Sequence, residues 1–103
     1  MTDKPKAHLR FLDEFPDVGA AYNQLAEAGH NAGPLDEKTR LLVKLALAIG
    51  HRHEGAVHAH TRRALSVGCT PEEIKHVVTL AVTTLGLPNA VAAYTWVNDF
   101  LET

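Results

Sequence analysis

Thr70-Pro71-Glu72-Glu73-Ile74-Lys75-His76-Val77-Val78-Thr79-Leu80-Ala81-Val82-Thr83-Thr84-Leu85-Gly86 is the stretch whose reading decides the fold. Its β-branched residues (Val77, Val78, Val82, Thr83 and Thr84) lean towards strand. Its punctuation and length favour helix. Thr70-Pro71-Glu72-Glu73 is a capping box with proline at the first helical position, so the free N–H groups of a helix start have partners ready. Ile74, Val77, Val78, Ala81, Val82 and Leu85 then run along one helical stripe until Gly86 stops it. The stretch therefore predicts an α-helix and points to an all-α chain.

Working back, Gly68 closes a second helix expected over about 53–67, with Val57, Ala64, Leu65 and Val67 as its apolar marks. Before it, Asp36 is a good N-cap for a helix over about 36–49. That helix is apolar almost all round, from Leu41 to Ile49, which predicts a buried central helix ended by Gly50 at positive φ. His51 and Arg52 form a short joint. Residues 17–29 carry Val18, Ala21, Tyr22, Leu25 and Ala28 at helical spacing, and Gly29, Asn31, Gly33 and Pro34 break the pattern. Residues 1–14 form a polar lead-in, with a helical turn or more over His8–Leu12 before Pro16. Working forward, Pro88-Asn89 restarts the chain into a last helix with Ala93, Trp96, Val97, Phe100 and Leu101 on one broad stripe. The expectation is a single all-α domain over 1–103 with five to six helices.

Composition sets further bounds. The chain has 103 residues, 46% of them hydrophobic. A core this small buries roughly 60–65% of the unfolded surface. Self-association would hide the apolar excess. The net charge is −2, rising to +5 with all seven histidines protonated. No basic face recommends nucleic acid or an anionic membrane as partner. The apolar run Leu41–Gly50 is broken by Lys44 and is too short to span a bilayer. The N-terminus has no apolar signal core. Cys69 is the single cysteine, which excludes an intrachain disulfide and a cysteine-only metal site. A cytoplasmic location is expected.

The chemistry concentrates in His51-Arg52-His53-Glu54-Gly55-Ala56-Val57-His58-Ala59-His60, which holds four of the seven histidines. In a helix, His53 and His60 share one face, while Glu54 and His58, four apart, share the neighbouring one. The positive end of the helix dipole disfavours imidazolium at His53 and favours the Glu54 carboxylate and bound anions. Three readings are open. The first is general acid–base work by Glu54 or a histidine on a small anionic substrate. The second is a divalent metal held by Glu54, His58 and a third histidine, although the spacing is not that of a zinc protease helix. The third is structural, with an ordinary Glu54–His58 pair and solvated imidazoles. Lys44 either points into this site or snorkels to solvent. His8, His30 and His76 read as surface residues.

The order DEKTRLLVKLALAIG, HRHEGAVHAHTRRALSVG, CTPEEIKHVVTLAVTTLGLPNAVAA resembles the carboxymuconolactone decarboxylase/alkylhydroperoxidase-D superfamily over residues 34–95. The telling pieces are Glu54-Gly55, His60-Thr61 with Ala64-Leu65 and Gly68, Thr70-Pro71-Glu72-Glu73-Ile74, and Gly86-Leu87-Pro88. The resemblance implies a helical protomer assembling into a symmetric trimer or hexamer, with the site near subunit contacts. Thiol-active members carry Cys-x-x-Cys and then a histidine on this helix, with a glutamate one helix earlier. Here His53 and Ala56 stand at the cysteine positions, Leu41 at the glutamate position, and only His60 is kept. Cysteine-dependent peroxidase activity is therefore not expected.

The chain looks more like the decarboxylase branch. That likeness implies a small-molecule substrate, proton donation by His60, Glu54, His58 or His53, and anion binding by Arg62, Arg63 or Lys44. No cofactor is expected, with a divalent metal at Glu54/His58 as the exception. The alternative is a metal- or ligand-binding homo-oligomer without turnover.

Overall fold

The computed structural model describes residues 6–101, so the first five residues of the polar lead-in lie outside it. Six α-helices follow in order: α1 (Lys6–Glu14), α2 (Pro16–His30), α3 (Glu37–His51), α4 (Glu54–Ser66), α5 (Pro71–Leu85) and α6 (Leu87–Leu101). No strand occurs among the described residues. The all-α expectation holds, and the β-branched run in α5 is helical throughout.

The helices form two compact units, α1 with α2 and α3 with α4, α5 and α6. In the first, the helical turn expected over His8–Leu12 extends to a full helix. Pro16 opens α2. Phe11 and Phe15 pack with ring centroids 5.3 Å apart. Gly19 is buried, and a Cβ there would stand 3.3 Å from Leu12 Cδ2, so a larger residue would have to shift the Leu12 side chain.

In the second unit the core is built from Leu41, Leu45, Ala48 and Ile49 of α3, Val57 and Ala64 of α4, Ile74, Val78 and Ala81 of α5, and Ala90, Ala93 and Val97 of α6. These positions recur at spacings of three, four or seven, so each helix gives one face to the centre. α3 departs from the expectation of all-round burial. Leu47 is 67% exposed and Val43 is 42% exposed. Three neighbouring helices cover only part of α3, and its far face stays open.

The caps follow the sequence, with one correction. Asp36 accepts a hydrogen bond from the Thr39 N–H at 2.9 Å. The capping box of α5 is complete: the Glu73 N–H donates to Thr70 Oγ1 at 3.0 Å, and the Thr70 N–H donates to Glu73 Oε1 at 2.8 Å. Gly68 and Gly86 both take φ 96°. Gly50, however, does not end α3. The helix runs on through His51, and Arg52 takes the left-handed cap at φ 59°. That conformation costs a residue with a Cβ about 1–2 kcal/mol.

Candidate functional site

The short joint after α3 aims the start of α4. His53 is extended, at φ −107° and ψ 104°, and its ring Nδ1 accepts the Ala56 N–H at 3.0 Å. His53 is thus the N-cap of α4, with Nδ1 as acceptor and the proton of the neutral ring on Nε2. Gly55 makes room for this ring: a Cβ there would lie 3.2 Å from His53 Cε1. His51 stacks on His53, centroids 6.2 Å apart and planes within 3°. Both rings therefore have local structural work at the helix start.

One turn into α4, His58 Nε2 lies 3.9 Å from Glu54 Oε2. This is the spacing expected from the sequence. The closer neighbour comes from α6, where Asp99 Oδ2 stands 2.8 Å from the same Nε2. The His58 ring also meets Phe100 edge-on, centroids 5.0 Å apart at 70°. The Arg62 guanidinium lies over the same phenyl ring at 5.6 Å from its centroid. One ligand atom each from Glu54, His58 and Asp99 falls within 4.8 Å of the others.

The other candidates lie elsewhere. His60 follows His58 by two residues, roughly 200° round the helix. It is half-buried, with Nδ1 screened from solvent. Val57, Thr61 and Ala64 between these faces are fully buried, and Thr61 Oγ1 donates to Val57 O at 2.7 Å. Lys44 is half-buried on α3. Burial, then the charges of Arg63 and Arg40, hold its ammonium below the usual lysine range. Arg63 and Lys44 thus form a basic patch with Arg40 across α3 and α4, while Arg62 stays beside the His58 cluster. His76 is exposed on α5, whereas His8 and His30 are half-buried, not fully on the surface as expected.

Cys69 takes no part. It is buried in the turn before α5, its Sγ 3.9 Å from the Lys38 carbonyl oxygen. Burial first, and then the Glu73 carboxylate, push its thiol up, against thiolate formation. Leu41, at the position of the thiol enzymes' glutamate, is a core residue at 5% exposure.

Asp99 and Phe100 were not singled out as site residues in the sequence. They lie forty-one residues beyond His58 and more, and nothing local couples them to it. The one signal is an acid beside Phe100 on the apolar stripe of α6. An open apolar groove of about 940 Å³ runs between α3 and α5, with Leu42, Val43, Leu47, Val77 and Leu80 in its walls and His51 and His76 at polar positions. It does not include Glu54, His58 or Asp99. This groove and the His58 cluster are lined by different residues.

The carboxymuconolactone decarboxylase family model matches residues 16–99. Among curated proteins no relative matches the chain. Among solved structures, a carboxymuconolactone decarboxylase family protein from Legionella pneumophila, crystallised in its apo form, superposes with a TM-score of 0.80. It is 28% identical, and the alignment covers 91% of this chain and 84% of that one. Six helices in this order, matched by sequence from α2 through most of α6, place the chain in the carboxymuconolactone decarboxylase family.

Proposed function

We propose that the chain is a homo-oligomeric small-molecule enzyme that moves protons on a carboxylated or carbonyl metabolite. The observation that carries this reading is the convergence of Asp99 and Glu54 on His58 Nε2, at 2.8 and 3.9 Å. Asp99 fixes the ring's orientation. Glu54 lies beyond direct hydrogen-bond range, which leaves room beside Nε2 for a water or a substrate group. Arg62, held over Phe100, supplies positive charge for a substrate carboxylate.

For a decarboxylation the balance is simple. The bond from carbon to the carboxylate breaks, CO₂ leaves, and the electron pair stays on carbon, delocalised into the adjacent carbonyl. A proton relayed from the His58–Asp99 pair through a water beside Glu54 then quenches that carbon, and solvent restores it. His53 is less suited, because its Nδ1 holds the helix cap. His60 faces another side of α4. Thiol chemistry has no place in this scheme.

The test is turnover of a panel of carboxylated lactones and 3-oxo acids, read as CO₂ release and as deuterium uptake from D₂O. His58→Gln and Asp99→Asn should lower kcat by about 10²–10⁴-fold, the range of a positioned acid or base. Wild-type rates in both variants would sink the reading. The homo-oligomer, trimer or hexamer, is supported by the open apolar groove between α3 and α5 and by the family likeness.

A further inference from the structure

We infer that Glu54, His58 and Asp99 form a three-ligand site for a divalent transition-metal ion, of the zinc or manganese type. The inference rests on the reading that this cluster is the functional centre, and it names the centre's cofactor.

The donor set argues first. Two carboxylates and a neutral imidazole carry a charge of −2, which balances the ion. Oxygen and imidazole nitrogen together suit zinc and manganese, whereas all-oxygen sets suit magnesium or calcium. The geometry argues second. A tetrahedral zinc about 2.1 Å from each ligand holds its donors roughly 3.4 Å apart. The observed separations from His58 Nε2, 2.8 Å to Asp99 and 3.9 Å to Glu54, straddle that value. Ligand atoms of Glu54 and Asp99 lie within 4.8 Å of each other, so the exposed Glu54 side chain swings inward to close the set.

The scaffold argues third. Glu54 and His58 are one turn apart on α4, and Asp99 comes from a helix packed against α4, so two rigid elements present the ligands. Phe100 buttresses the imidazole from the side. Access is open, because the side chains of His58, Glu54 and Asp99 are 24%, 58% and 51% exposed. Three protein ligands leave at least one position for a water or a substrate oxygen. With the ion in place His58 becomes a ligand, and the proton-moving role passes to that water, whose acidity the ion raises. Arg62, four residues on, is then placed for a substrate carboxylate.

The experiment titrates the full chain with ZnCl₂ by calorimetry and with MnCl₂ by electron paramagnetic resonance. The expected result is one ion per chain. Affinity should fall in both Glu54→Gln and Asp99→Asn by more than the tenfold or so that loss of an outer-shell partner costs. His76→Gln on α5 should bind as wild type does. Binding should also weaken in acid, because protons compete with the ion for its ligands. Absence of a bound ion in the wild type overturns the site, as does affinity unchanged in both carboxylate variants. Glu54→Gln tests it even if Asp99→Asn loosens α6, because Glu54 is exposed and ties no helix to another.

The two failures are separable. Turnover that survives chelation in a chain binding no ion removes the metal and leaves the acid–base reading. Stoichiometric metal with turnover intact in His58→Gln and Asp99→Asn removes that reading and leaves the site.

Discussion

Cys69 and His53 show how one residue's surroundings decide its chemistry. A lone cysteine in this superfamily invites a thiol reading, yet its thiol is buried and pushed up by burial and by the Glu73 carboxylate. Iodoacetamide at pH 8 should therefore label Cys69 far more slowly in the native chain than in the unfolded one, as read by intact mass. Cys69→Ala should keep full turnover on any substrate the wild type accepts. Rapid native labelling would contradict the burial. His53 stands where the thiol enzymes have a cysteine, but its Nδ1 is engaged by the Ala56 N–H. That role was only half legible in the sequence. The helix dipole argued for a neutral ring at His53, but the cap itself depends on the rotamer and on Gly55 beneath it.

At the scale of elements, the helix starts were the most legible feature. Asp36 and the Thr70–Glu73 box cap α3 and α5 as their spacing says, because capping is local and involves residues three apart. Thr70→Ala should cost about 0.5–2 kcal/mol, measured by thermal or urea unfolding. Hydrogen bonds from the Thr39 side chain and N–H to Asp36, and from the Thr70 N–H to Glu73, hold the two carboxyls below their usual values. A carboxyl lowered on folding stabilises the native state in full above its unfolded value. That contribution is lost as the pH falls through the lower folded value. The thermal midpoint should accordingly drop below about pH 4, and less steeply in an Asp36→Asn, Glu73→Gln double variant. An equal acid slope in that variant would refute the linkage. The end of α3 was less legible. Gly50 looked like the stop, but its Cβ position faces Leu85 at 3.9 Å within the packed unit, and the turn falls two residues later at Arg52.

At the scale of the molecule, the second unit closes one core and leaves apolar surface open on α3, α5 and α6. Leu45, Ile49, Val57, Ile74 and Val97 are buried to within 1% exposure. Leu47 and Leu80, at 67% and 60% exposure, line the groove between α3 and α5. A homo-oligomer would cover such a surface. Light scattering should give a mass of three or six chains for the wild type, and a smaller one for a Leu47→Glu, Leu80→Glu variant. Both residues lie outside the core, so the variant should keep its helical circular dichroism. An unchanged mass would show that assembly does not use this face. Among the described residues no helix is long and apolar enough to cross a membrane.

What the sequence determined by itself is what short range determines. Helix type, caps and the Glu54–His58 face follow from spacings of three and four, because one turn of helix brings such residues together whatever the rest of the chain does. The family likeness was legible for a related reason, since its marks are caps, glycine stops and core stripes. Tertiary structure alone decided the partners. α4 packs against α6, and only that contact brings Asp99 to 2.8 Å from His58. A pair forty-one residues apart carries no periodic signal. Its closeness depends on which stripes bury against which, a property of the whole core.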